Sequence, residues 1–232
     1  MSVEIIPAIM PKGIEDIKSK IGLVSDLVST IQLDLMDGDF VPNQTWPYNG
    51  NDDYQFEQIL AEEEGLPFWD RVDFEFDLMV RNSEKQFDTF IKMGAKRVVF
   101  HLEAENSEPG AFKEFIEAID VYTREILKIG ISIGMDTPLE DIYPFLNHVD
   151  FVQLMGIDEI GFQGEEFDER VLDRIRLLRS QYKDLSISVD GSVNLETAPK
   201  IIDAGANILV VGSAIWKSQD PRAVIIALKD LG

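Results

Sequence analysis

The feature that most constrains this chain is a repeated pairing. A short apolar run rich in Val, Ile and Leu is followed, again and again, by a longer amphipathic stretch. Eight runs occur, at Val3–Ile6, Thr30–Leu35, Val72–Leu78, Arg97–Leu102, Gly130–Gly134, Phe151–Leu154, Ser186–Val189 and Ile208–Val211. Several are continuously apolar rather than alternating, the pattern of strands buried on both faces of a parallel sheet. Between them, Gly13–Val28, Ser83–Met93, Phe112–Leu127, Glu165–Tyr182, Leu195–Ala204 and Asp220–Leu231 carry apolar residues at helical spacing. Asn82-Ser83-Glu84 reads as a helix cap, and Gly94, Gly130 and Gly205 fall at helix ends. Strict strand–helix alternation needs crossover connections and hence a parallel sheet. Eight such units in 232 residues is the arithmetic of a single (β/α)8 TIM barrel, slightly below the ~250 residues typical of that architecture. No linker-like tract divides the chain, so residues 1–232 read as one domain. The stretch 46–69 is long for a strand-to-strand connection and is expected to form an extended loop plus one helix near the barrel mouth.

Charge and composition remove several classes of function. With 43 acidic and 21 basic residues the formal net charge is −22. Nucleic-acid binding needs clustered Lys and Arg to replace phosphate counterions, and an anionic membrane surface repels such a chain. No apolar run approaches the ~18 residues of a transmembrane helix, and the N-terminus lacks the basic start and apolar core of a secretory signal. A cytoplasmic protein is the expectation. The absence of cysteine excludes a disulfide framework and a thiolate metal site. With two histidines, a metal site would rest mainly on oxygen ligands.

In a barrel of this kind the active site lies at the C-terminal ends of the strands. That rule selects Gln32, Asp34 and Asp37 after the second strand and Asp77 at the third. His101 and Glu103 lie at the fourth, Asp136 at the fifth and Gln153 at the sixth. Asp190 follows the seventh and Ser213 the eighth. Asp34, Asp77 and Asp190 would converge on one mouth. Three such carboxylates repel and raise one another's pKa, so a cation or a shared proton is expected among them. Structural readings compete. Asp37 suits the cap of the Met36-Asp37-Gly38-Asp39 turn, Asp190 could cap the next helix, Gln32 could bridge loops, and His101 could be a structural residue at a strand end.

At these residues the sequence resembles the ribulose-phosphate 3-epimerase family. Ile31–Asn43 (IQLDLMDGDFVPN) is similar to that family's HVDVMDG-x-FVPN signature, and Phe74–Val80 (FEFDLMV) to its DVHLMV strand. The VVFHLEAE strand matches its His-x-Glu strand, Ser188–Asn207 resembles VDGGV and the helix ending in AGA, and LVVGSAIW resembles LVAGSAVF. The resemblance runs over nearly the whole chain. It implies proton transfer next to the ketone of a pentulose phosphate, with Asp34 and Asp190 as the two acid/base residues and a divalent metal polarising the carbonyl.

The family's metal ligands are two His and the two Asp; here those His positions hold Gln32 and Asp77. The implied set (Asp34, Asp77, Asp190, Gln32) is all oxygen, which favours Mg²⁺ or Mn²⁺ over Zn²⁺, and a site without metal is the alternative. The family's Ser after the first strand is replaced, in PAIMPKG, by Met10 and Pro11. Met36, Met79 and Met155, with His101, stand where the family lines its pocket. Gly164, Gly191, Ser192, Gly212 and Ser213 are implied to bind phosphate through backbone N–H groups. The sixth-strand loop Met155–Phe167 adds Asp158, Glu159, Glu165 and Glu166, which would oppose a phosphate if they point inward. The expected partner is a small-molecule sugar phosphate, with a homo-oligomer left open. Two other functions stay in play: a related sugar-phosphate lyase or isomerase on the same barrel, and a non-catalytic sugar-phosphate-binding barrel.

Overall fold

The computed structural model describes residues 3–105 and 110–232. Eight parallel strands close into a barrel in sequence order: β1 (Glu4–Ile9), β2 (Thr30–Met36), β3 (Asp73–Met79), β4 (Ala95–His101), β5 (Lys128–Ile133), β6 (Phe151–Met155), β7 (Ser186–Asp190) and β8 (Ile208–Val211). β1 closes on β8 through Ile5↔Leu209 and Ile6↔Val210. This is the (β/α)8 barrel that the alternation of runs predicts.

Strand periodicity sorts the side chains into two sets. Ile5, Ile9, Ile31, Leu33, Leu35, Phe74, Phe76, Val98 and Phe100 point outward into one large core beneath the helices. The alternate residues Ile6, Ala8, Val99, Phe151, Ile208 and Val210 form a small cluster of their own. The same inner set includes fully buried polar residues: Gln32, Glu75, Asp77, His101, Ser132, Gln153 and Ser188. The barrel interior therefore mixes an apolar cluster drawn from β1, β4, β6 and β8 with buried polar residues drawn from β2 to β7. Gly130 is where Phe151 crosses it, since a Cβ there would sit 2.4 Å from the ring.

The helices are shorter than the sequence pattern suggests. α1 (Ile14–Val24) stops before Val28. Within the 46–69 stretch, α2 (Asp53–Leu60) is a helix, and Asn49, Asn51 and Asp52 tie the stretch to the loop after β1 by bonds to Lys12 and Ile14. The Ser83–Met93 segment opens as a 3-10 turn and continues as α3 (Phe87–Lys92); Asn82 has φ +50° and makes no side-chain cap bond, so the expected cap is absent. Phe112–Leu127 divides into α4 (Ala111–Ala118) and α5 (Val121–Ile126) because extended Asp120 accepts bonds from the N–H groups of Tyr122 and Thr123 and starts a new helix. α6 (Arg170–Gln181) begins five residues later than the periodicity suggests, after Asp168 accepts from the Arg170 N–H. α7 (Ala198–Ala204) ends at Gly205, whose φ of +116° closes the turn into β8. α8 (Ser213–Trp216) and α9 (Pro221–Lys229) complete the chain. No helix among the described residues is long and apolar enough to cross a membrane.

Candidate active site

The C-terminal ends of β2, β3 and β7 bring Asp34, Asp77 and Asp190 together, with one oxygen from each within 4.8 Å of the others. In-register pairing of β2 with β3 sets Asp34 beside Asp77. β7 ends on Asp190, and Gly191 follows with φ +108°. Asp34 and Asp190 line a cavity at the barrel mouth; Asp77 is wholly buried and lies outside that lining.

Gln32 is not oriented as a ligand. Its Nε2 donates to Asp34 Oδ1 and to Asp190 Oδ2, each at 2.9 Å, while its own buried Oε1 has no partner. In this orientation Gln32 offers the carboxylates hydrogens, not lone pairs. Asp77 Oδ1 pairs with His101 Nε2 at 2.8 Å, and both residues have zero exposure. Asp77 Oδ2 is buried without a partner among the described residues.

Electrostatics follow from this crowding. Burial, then the charge of Asp77, pushes the Asp190 carboxyl up to about 7, against the opposing hydrogen bond from Gln32. Burial likewise holds Asp34 well above the usual carboxylate range, reinforced by Asp190 and Asp77. For His101 burial disfavours the charged form, but the charge and hydrogen bond of Asp77 outweigh it and the net direction is up.

The three carboxylates suit a hard divalent cation. They offer oxygen donors at mutual spacing a single ion can bridge, and Asp77 keeps one carboxylate oxygen, Oδ2, without a partner among the described residues.

The glycine-rich end of the same cavity is formed by Gly164, Gly191, Ser192, Gly212 and Ser213, with Gly161, Phe162 and Gln163. Gly164 and Gly191 have φ of +91° and +108°, and Ser192 has φ +52°, left-handed conformations of the kind from which backbone anion nests are built. The Ser192 hydroxyl donates to the Glu165 carbonyl. The added acids of the sixth-strand loop do not line this cavity: Asp158 pairs with Arg170 at 2.5 Å, and Glu165 and Glu166 are exposed.

Met79 and Met155 line the cavity, but Met36 and His101 do not. That corrects the expectation for both. The loop after β2 covers them: Met36 packs with Val41 and Met79, and the Phe40 ring lies 5.5 Å from His101. The loop is held by Asp37, which accepts from the N–H groups of Asp39, Phe40 and Arg81. Arg81 in turn lies 5.1 Å over the Phe40 ring and donates to the Glu103 carbonyl. Sequence reasoning passed over Phe40, Arg81 and Gln163, since none sits at a strand end. Glu103 is structural, accepting from the Gly134 N–H and the Thr137 hydroxyl. Asp136 is fully exposed, and Gln153 is buried beside Ser188.

A carboxylate cluster facing a glycine-built anion nest at the mouth of a (β/α)8 barrel defines a barrel of the sugar-phosphate-handling kind. The family model described as "Ribulose-phosphate 3 epimerase family" matches residues 4–216, and the chain belongs to that family. It is 32% identical to the ribulose-phosphate 3-epimerase of Bacillus subtilis over 86% of this chain and 85% of that one. It is 28% identical to that of Schizosaccharomyces pombe over 99% and 94%. Among solved structures, the fold resembles KGPDC from Streptococcus mutans, with a TM-score of 0.71 at 14% identity over 99% of this chain and 96% of that one.

Proposed function

We infer that the protein is a pentulose-phosphate 3-epimerase acting in the cytoplasm, with Asp34 and Asp190 as its two proton-transferring residues. The observation that carries this is their joint presence in one cavity with the glycine nest: a buried and a half-buried carboxylate beside a place for a phosphate.

The proposed chemistry needs one carboxylate ionised and the other protonated at the same moment. The first takes the proton from carbon 3, leaving the C–H electron pair in an enediolate; the second, protonated, delivers its proton to the opposite face. A carboxyl held near 7, such as Asp190, can be acid or base at neutral pH, which suits a reversible exchange run in both directions. Gln32 orients both groups through hydrogen bonds that add no charge, and Asp77 is fixed by His101. Met79 and Met155 limit the water reaching the reacting carbon. A divalent ion, Mg²⁺ or Mn²⁺ by the oxygen character of its donors, would be held by Asp34, Asp77 and Asp190 and would stabilise the negative charge that develops on the enediolate oxygens. The backbone nest receives the phosphate and sets the distance from that anchor to carbon 3.

The test is deuterium wash-in at carbon 3 of ribulose 5-phosphate in D₂O. Wild type is expected to exchange, and Asp34→Asn to lose ~10²–10⁴ of the rate, the usual contribution of a positioned acid or base. Wild type that exchanges nothing with Mg²⁺, Mn²⁺ or neither present would end this reading.

A further inference from the structure

The protein carries a net charge of −22, so its summed field repels an anionic substrate. The lining of the anion nest supplies backbone dipoles but no cationic side chain, and its only ionisable members are Asp34 and Asp190. Nearby cations are committed elsewhere. Arg170 pairs with Asp158 and Asp168. Arg174 donates to the carbonyls of Gly134, Met135 and Thr137. Arg81 covers Phe40, and Lys200 pairs with Glu169.

Lys217 is different. It directly follows α8, the short helix that carries Ser213 of the nest, and its N–H closes that turn on the Ser213 carbonyl. α8 is itself anchored, because Trp216 Nε1 donates to the Ala8 carbonyl at 2.6 Å. The Lys217 ammonium reaches back over the sixth-strand loop: a Cβ on Gly164 would lie 3.1 Å from its Nζ. The ammonium is exposed and has no ion-pair partner among the described residues, although the sixth-strand loop it reaches over carries the exposed acids Glu165 and Glu166.

We propose that Lys217 is a specificity-determining residue that closes over the Gly164 edge of the nest and pairs with the substrate's phosphate dianion. This rests on the epimerase reading for the identity of the substrate, but not for the anion itself. The compact ammonium acts as a point charge, so an Arg there keeps the function and a Met of similar length removes it. The gain lies in binding, far from the reacting carbon, so it appears in KM rather than kcat.

Two measurements test it on the full chain at low ionic strength. Isothermal titration with inorganic phosphate is expected to show Lys217→Met binding at least ~10-fold more weakly than wild type, and Lys217→Arg within ~2-fold; tenfold corresponds to about 1.4 kcal/mol. With ribulose 5-phosphate, Lys217→Met is expected to raise KM by a similar factor with kcat within ~2-fold, and to flatten the rise of KM with added KCl. Lys217 is exposed, so unfolding midpoints should match and exclude misfolding. Lys217→Met binding phosphate as tightly as wild type, or wild type binding none at millimolar phosphate, overturns the proposal. Loss of phosphate binding in Lys217→Met alongside a wild type that never epimerises would leave Lys217 in place and remove the epimerase reading instead.

Discussion

Glu75 offers a demanding test of the electrostatic account, because it sits one inward position below Asp77 on β3 and has no exposure at all. Both of its carboxyl oxygens lack a hydrogen-bond partner among the described residues. Its nearest cation, Arg97, approaches only to 3.7 Å and spends its fork on Glu4, at 2.9 and 2.8 Å. Burial pushes the Glu75 carboxyl up to about 8; Arg97 opposes this, and Asp77, Glu4 and Asp190 add to it. An acid whose folded pKa exceeds its unfolded one binds more protons folded, so stability is full below about 4.5 and falls as pH climbs towards 8. Glu75→Gln replaces the acid by a permanent neutral isostere. The 4.5-to-8 gap gives a relative gain for the variant of about 3 kcal/mol at pH 7 and about 5 above pH 8, at ~1.4 kcal/mol per unit. Against a total stability of ~5–15 kcal/mol, that is large. Urea unfolding of both proteins at pH 4.5, 7 and 9 reads it directly. The two curves should nearly coincide at pH 4.5 and diverge above it. Parallel curves would mean that Arg97 keeps Glu75 ionised, and a neutral acid at the centre of the barrel would be refuted.

Three other outcomes are expected. Asp77→Asn removes the charge that, after burial, does most to raise Asp190, so the limb of the pH–rate profile near 7 should move to lower pH; an unmoved limb would detach it from Asp190. His101→Leu strands the Asp77 carboxylate in a site with no exposure and should cost ~3–5 kcal/mol at pH 7 by denaturant unfolding, with Asp77→Asn in the same background recovering much of it. Gly130→Ala should destabilise by ~1–3 kcal/mol through overpacking against the Phe151 ring, which a Cβ would approach to 2.4 Å; Phe151→Leu should relieve it, and an unchanged melting midpoint for the single variant would refute the close approach.

The strands are legible in the sequence because a barrel strand buried on both faces is written in consecutive apolar residues, and each observed strand overlaps its run. The helices are less so, for local reasons. Periodicity alone carries Phe112–Leu127 as one helix, whereas the cap at Asp120 starts a second one. Strand-end position also picks out Asp34, Asp77 and Asp190, since acids interrupting apolar runs have few other uses. Position does not say how Gln32 and His101 pair. A glutamine amide can present oxygen or nitrogen, and the choice is made by carboxylates 2 and 158 residues away in sequence.

Those pairings bear on what replacing two histidines means. Against the neutral imidazole that the family resemblance implies at position 77, the Asp77 of this chain brings a negative charge. The structure shows where that charge is met: His101, on the neighbouring strand β4, faces Asp77 at 2.8 Å. At position 32 the exchange is neutral for neutral, and the amide turns its hydrogens on the two remaining acids. His101 thus stands behind the cluster, and the cluster keeps two carboxylates, Asp34 and Asp190, at the cavity wall. A barrel retained only to bind a phosphate would need the glycine nest but would gain nothing from holding two carboxyls above their ordinary pKa beside an anion. Buried acids of that kind are costly to keep, and proton exchange is the use that fits them.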